Sequence, residues 1–216
     1  MRAIGAGWMI VALVFAGPAS AQAPVGYAVT YLEVKAGAVA GSRDTLRAYG
    51  AAARKEAGNL RFEVLEEEGR PSRFAILEAW TSRAVLAKHS RAAIAGLARV
   101  APDDRRLYDA LYAAAPAHHA GAVHVMTHVD VMPPFAAGCA DLLKAMRADT
   151  PKDPGNAGYD VLRQDHELNH FTVAEVWASR GDLAAHAAAA HTMEFRRKLL
   201  PMTGALFDER VFTEIE

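Results

Sequence analysis

The chain has 216 residues, a formal net charge of −1 and an isoelectric point of about 6.8. Apolar residues make up 52% and charged residues 23%, a globular composition that excludes a disordered chain and offers no basic excess for nucleic acid. The single cysteine, Cys139, excludes an intrachain disulfide and cysteine-rich metal centres.

The first element reads as an address. Arg2 is followed by an apolar run from Ile4 to Phe15, then Gly17, Pro18 and Ala19-Ser20-Ala21. A positive start, a short apolar stretch and an A-x-A site form a secretory signal, expected over residues 1–22. The run is short for a permanent membrane span. The mature chain is therefore expected to be secreted or periplasmic, with no stable membrane anchor and, having lost Arg2, a net charge of −2.

The rest of the chain reads as two copies of one unit, at 23–113 and 123–216, joined by a linker at 114–122. An offset of 97 residues, the separation of Trp80 and Trp177, aligns them. Gly58-Asn59 falls on Gly155-Asn156, and Phe74 on Phe171. Glu78-Ala79-Trp80 falls on Glu175-Val176-Trp177, and Ser82, Leu86 and His89 on Ser179, Leu183 and His186. In chain order, alternating β-rich residues predict a strand at 27–34 and its repeat at 123–131. Helices follow at about 38–56 and 134–148, the second with an apolar face of Phe135, Cys139, Leu142 and Met146, each stopped by Gly58 or Gly155. Strands are predicted at 60–66 and 73–80 and again at 159–164 and 170–177. Glu66, Glu67 and Glu68 are read as part of a solvated turn. Second helices are predicted at about 82–97 and 181–199, and closing strands near 106–112 and 206–214.

The order βαββαβ, twice, implies α+β architecture with two ferredoxin-like repeats. The sheet face away from the helices also carries apolar side chains, among them Val29, Tyr31 and Met126. Burying it is worth roughly 25 cal/mol per Å², so the two sheets are expected to pack on each other as an intrachain pseudo-dimer, leaving the chain a monomer.

The run Glu56-Ala57-Gly58-Asn59-Leu60-Arg61-Phe62, then Phe74 to Trp80, then Leu86-Ala87-Lys88-His89, resembles the antibiotic biosynthesis monooxygenase family. The second copy matches through Asp153-Pro154-Gly155, Tyr159, Phe171 to Trp177, His186 and His191. The resemblance implies a dimeric α+β barrel formed here by one chain, with a ligand site between sheet and helices. It implies oxygenase chemistry on quinols or polyketides without metal or flavin, although other members degrade heme. Trp80 and Trp177 fall on the family's cavity tryptophan, and His89 and His186 on its second-helix histidine. Thr30 and Thr127 stand where some members carry a first-strand asparagine, a departure that counts against heme degradation and against asparagine-dependent oxygenation.

Oxygenation without a cofactor needs an electron-rich aromatic anion, a base to make it, and a dry pocket. Histidine can be the base because its ordinary pKa lies near neutrality. Tryptophan can wall the pocket and donate a hydrogen bond. The expected catalytic residues are therefore His186 and Trp177, or His89 and Trp80. Thr127, Thr30, Phe171, Phe74 and His191 are expected around a small aromatic substrate. Glu78 and Glu175 share parity with their tryptophans, as second bases or, the favoured reading, as partners of Ser82 and Ser179 at the helix starts. The second copy, which alone has His191, is the expected working copy. No metal site is expected: on one continuous helix His186 and His191 would be offset by about 500°, and His124 and His128 would lie roughly 13 Å apart along a strand. His118-His119 is a linker pair able to bind metal adventitiously. The sequence thus predicts a cofactor-independent monooxygenase for a quinol or related phenol. The competing readings are an exported, non-catalytic binding protein for a hydrophobic or heme-like ligand and a structural pseudo-enzyme whose pockets have collapsed, the latter distinguished by the absence of a cavity near both tryptophans.

Overall fold

Eight antiparallel strands close into one barrel in the order β1-β3-β2-β8-β5-β7-β6-β4. The computed structural model describes residues 25–113 and 121–215. The expected signal and most of the expected linker lie outside the described residues. No helix among the described residues is long and apolar enough to cross a membrane. The first repeat contributes β1 (Gly26–Glu33), α1 (Val39–Ala53), β2 (Asn59–Glu67), β3 (Arg73–Trp80), α2 (Arg83–Lys88) and β4 (Asp104–Tyr112). The second contributes β5 (Val123–Asp130), α3 (Ala136–Asp149), β6 (Asn156–Gln164), β7 (His170–Trp177), α4 (Arg180–Ala188), α5 (Ala190–Leu199) and β8 (Asp208–Glu214).

Each repeat makes a four-stranded ferredoxin-like sheet, β2-β3-β1-β4 and β6-β7-β5-β8. Closure comes from the last strands. β4 pairs with β6 of the other repeat, and β8 with β2, through Leu65 to Glu67 against Phe212 to Glu214. No sheet edge is left free, which removes the usual liability of exposed strand edges.

Strand alternation separates two kinds of core. Tyr27, Val29, Tyr31, Leu65, Leu77, Met126, Leu162 and Phe212 point into the barrel and pack together. The apolar second face predicted from Val29, Tyr31 and Met126 is therefore buried between the repeats. The opposite face carries Leu32, Phe74, Ile76 and Trp80 under α1 and α2, and Val129, Phe171 and Val173 under α3 and α5.

Several local expectations are corrected. The buried face of α3 is Cys139, Leu143 and Met146; Leu142 is half-buried, and Phe135 sits before the helix in a 3-10 turn, 38% exposed. Gly58 and Gly155 do not end their helices directly, since α1 stops at Ala53 and α3 at Asp149. They adopt φ of +87° and +77° at the entry to the next strand, a region that disfavours a Cβ. A Cβ on Gly155 would also collide with Asp182. Glu66 and Glu67 belong to β2 rather than to a turn, and Arg43 grips Glu66 with two hydrogen bonds of 2.6 and 2.7 Å. The second helices are each broken. After α2 the chain leaves helical geometry at His89, and α4 and α5 are separated by Ala189, whose φ and ψ of −64° and 146° are extended.

Candidate functional site

The sequence twin residues occupy twin positions, but their surroundings differ. Trp80 and Trp177 end β3 and β7 and are fully buried. Each indole Nε1 donates to the glutamate two residues earlier, Glu78 or Glu175, at 2.8 Å. The side chains at i and i+2 share a strand face, which is what lets them meet. His89 and His186 lie against the two indoles, with ring centroids 4.5 and 4.7 Å apart. Ser82 and Ser179 cap the following helices themselves, accepting from the amides of Val85 and Asp182. Glu78 and Glu175 are therefore not cap partners; they hold the tryptophans.

In the first repeat every polar atom of this group is taken. His89 Nε2 meets the Tyr49 hydroxyl at 2.6 Å and Nδ1 meets Glu56 at 2.9 Å. Glu78 accepts from Arg105 at 3.1 Å as well as from Trp80. Phe62 and Tyr49 pack edge to face and close the space beside them. Phe74 and Leu86 join the same packed core.

The second repeat changes four of these positions, with Met146, Asp153, Tyr159 and Glu209 in place of Tyr49, Glu56, Phe62 and Arg105. Met146 stands where the first has Tyr49, so no phenol hydroxyl reaches His186. Its Nδ1 contacts Asp153 Oδ2 at 2.6 Å, while Nε2 faces Glu175 Oε2 at 3.9 Å. Glu209, paired in register with Thr127, replaces Arg105, paired with Thr30. A carboxylate thus faces Glu175 where a guanidinium faces Glu78. Burial pushes the Glu175 carboxyl up to about 7 and Glu209 adds to the rise, against the indole hydrogen bond and Arg196. Burial depresses His186, although Asp153 pulls the other way. A raised carboxyl and a depressed imidazole are thereby placed side by side.

They line a cleft between sheet and helices with Thr127, Val173, Thr192, Phe195, Arg196 and Phe207. The Thr127 hydroxyl is buried without a hydrogen-bond partner, as is that of Thr30 in the first repeat. The cleft volume is only about 30 Å³. Phe207 and Arg196 also line an adjoining apolar groove of about 430 Å³, with Leu199, Leu200 and Thr203. The Arg196 guanidinium lies 5.8 Å from the Phe207 ring centroid, and the two form the partition between groove and cleft.

Of the residues expected around a substrate, Thr127 and His186 line this cleft. Trp177 stands behind Glu175, and Phe171 fills the core with Leu143 and Tyr159. His191 lies on the far side of His186, its Nε2 3.1 Å from Asp153 Oδ2. Because Ala189 breaks the helix, His186 and His191 do not follow one axis; their ring centroids are 5.4 Å apart. The expected angular offset therefore does not apply, and Asp153, His186 and His191 bring three ligand atoms within 4.8 Å of one another. Sequence reasoning missed Asp153 and Glu209. Asp153 was legible as the acidic twin of Glu56. Glu209 was hidden because the last strands align at an offset of 104, the separation of Arg105 and Glu209, rather than 97.

The antibiotic biosynthesis monooxygenase profile matches residues 26–98 and 122–198, once per repeat. The chain belongs to this family. A "putative monooxygenase" of Fusobacterium nucleatum superposes with a TM-score of 0.82 at 16% identity, over 91% of this chain and 94% of that one. Another of the same description from Lactobacillus acidophilus gives 0.76 at 12%, over 89% and 95%. An anthrone oxidase-like protein gives 0.69 at 12%, over 91% and 93%. Such distant likeness speaks for the fold, and its coverage includes both repeats of this member of the family.

The raised Glu175 carboxyl has a thermodynamic consequence. Its folded pKa of about 7 lies above the ordinary value of 4.5, so its stabilising contribution is full below about 4.5 and is lost as pH rises to about 7. The whole swing is about 3 kcal/mol. Glu175→Gln, which cannot ionise, is expected to gain stability relative to the native chain between pH 4.5 and 7. Urea unfolding of both chains across that range checks it; a pH-independent difference would show that Glu175 titrates normally.

Proposed function

We propose that the second repeat is a cofactor-independent monooxygenase site for a small quinol or related phenol, while the first serves as scaffold. The observation that carries this reading is the pairing of His186 Nε2 with Glu175 Oε2, 3.9 Å apart, beside an unpartnered Thr127 hydroxyl in a sheet–helix cleft. Family membership supplies the class of reaction.

The substrate ring enters from the apolar groove, displacing Phe207 and Arg196, since 30 Å³ does not hold an aromatic ring. Phe207 is half-exposed, so its displacement exposes little new surface. Thr127 and Glu175 orient the phenolic hydroxyl, and His186 takes its proton. The phenolate passes one electron to oxygen, and the two radicals join in a carbon–oxygen bond. Loss of the ring proton and cleavage of the oxygen–oxygen bond release water and leave a carbonyl. The balance is phenol plus oxygen giving quinone plus water. The ring supplies all four electrons, so no external reductant enters. Glu175 and His186 relay the two protons: burial raises the Glu175 carboxyl to about 7, and burial depresses the His186 imidazole, which keeps it neutral and ready to accept.

The reading describes an exported monomeric enzyme. Its test is oxygen uptake by the mature chain with a panel of hydroquinones and polycyclic phenols. Uptake above the autoxidation blank, with the quinone formed in equal amount, is the expected result. Saturable binding of the panel without uptake would instead favour the non-catalytic binding protein.

A further inference from the structure

We propose that Asp153, His186 and His191 form a divalent transition-metal site, suited to zinc, on the side of His186 that faces away from the cleft. Two imidazole nitrogens and one carboxylate oxygen converge there within 4.8 Å. His186 Nδ1 is 2.6 Å and His191 Nε2 3.1 Å from the same Asp153 oxygen. Only the first contact is a hydrogen bond; His191 Nε2 is a buried atom without one. An ordinary histidine–carboxylate pair explains His186 alone. It does not explain a second imidazole brought to the same oxygen with its nitrogen unsatisfied.

The first repeat shows what such a pair looks like by itself. Glu56 holds His89 Nδ1 at 2.9 Å, and Ile94 occupies the position of His191. The third ligand is particular to the second repeat, and the extended Ala189 is what turns it back toward His186. Two histidines and one carboxylate are a standard zinc donor set, with a fourth position left for water. Zinc bonds of about 2.0–2.2 Å in tetrahedral geometry set neighbouring ligand atoms about 3.3 Å apart, so a modest rotation of the Asp153 carboxylate away from His186 admits the ion. The site opens to solvent, since the side chains of Asp153 and His191 are 19% and 24% exposed while His186 is buried.

Occupancy would reach the cleft through one ring. Zinc on Nδ1 leaves the neutral imidazole with its proton on Nε2, the atom facing Glu175. On the reading of His186 as base, which this consequence needs and the metal site does not, zinc silences the oxygenase.

The experiment is calorimetric titration of the metal-stripped mature chain with zinc, in a His118→Ala/His119→Ala background that removes the linker pair. One site per chain is expected. His191→Ala and Asp153→Asn should each weaken it at least about tenfold, as loss of one ligand of three would. His89→Ala should leave it unchanged. Cobalt in place of zinc should give visible bands of a four-coordinate ion. Should a variant fail to fold, side-chain nitrogen NMR of the native sequence decides: zinc must shift the resonances of His186 and His191 together. No zinc binding, binding indifferent to both substitutions, or shifts confined to other histidines would each overturn the site. Oxygen uptake measured with and without zinc then reads the inhibitory consequence separately, because a failed oxygenase assay leaves the titration intact.

Discussion

His186→Ala is expected to reduce oxygen uptake by about 10²–10⁴-fold, the usual worth of a positioned general base, whereas His89→Ala should cost far less. The two residues are sequence twins, so the difference rests on their neighbours. Tyr49 and Glu56 occupy both ring nitrogens of His89, at 2.6 and 2.9 Å. His186 keeps Nε2 toward the cleft, with Glu175 at 3.9 Å and the Thr192 hydroxyl at 3.4 Å. The loss should fall mainly on kcat, because Thr127 and Glu175, which orient the phenolic hydroxyl, remain in place. Removing His186 also leaves Asp153 without its closest partner, so stability must be followed in parallel, and His186→Gln serves as the better-packed companion. Equal losses from His186→Ala and His89→Ala would show that both repeats turn over or that neither histidine is the base.

The largest effect on stability is expected inside the barrel. Arg61 is 9% exposed and binds Glu63 through two hydrogen bonds of 2.6 and 2.9 Å and Asp160 through one of 2.6 Å. It thereby ties β2 of the first repeat to β6 of the second across the interior. Glu63 is drawn upward by burial, but Arg61 and His124 outweigh that and hold it at about 2. Arg61→Ala takes the guanidinium away from two buried carboxylates, leaving Glu63 to His124 at 3.3 Å, and should cost about 3–5 kcal/mol, or about 10 °C in Tm for a chain of this size. The sign with pH is fixed by linkage. A depressed carboxyl stabilises above its unfolded pKa and loses that contribution as pH falls toward about 2. In Arg61→Ala the burial of Glu63 loses its largest opposing charge, so its carboxyl rises and the gap between variant and native chain should narrow as pH drops from 7 to 4. Replacing all three residues by apolar ones should recover most of the loss, since a buried ion network is often worth no more than good packing. A Tm for Arg61→Ala close to native at pH 7 would mean that water reaches the carboxylates.

This network also shows how the two repeats have come to differ while keeping one backbone. Arg61 has Gly158 as its twin, so a single guanidinium serves both Glu63 and Asp160. At the barrel's other end the symmetry is kept in charge but not in chemistry. Arg106 with Asp104 and Arg210 with Asp208 are matched pairs, flanking Tyr31 in one repeat and His128 in the other. Burial and the two nearby arginines push His128 down to about 4, so it is neutral at any working pH of the cleft.

The sequence by itself determined the duplication, the order of elements and the inward faces, because these are written locally. Strand alternation, helical spacing and a repeated Glu-x-Trp followed by histidine all lie within one window of chain. It also determined that a tryptophan, an acid and a histidine recur together. The tertiary structure decided which copy can act. That choice turned on Tyr49 against Met146 and on Arg105 against Glu209, residues brought to the site by a helix and by the closing strands. Closing strands pair with both repeats, so their register depends on contacts distant in sequence, and a fixed offset misaligned them. The break at Ala189 likewise depends on how α5 packs under the sheet, and no helix periodicity would place it. Pairings across a barrel are fixed only when the barrel closes, and the electrostatics of a buried carboxyl follow from whichever charge that closure sets beside it.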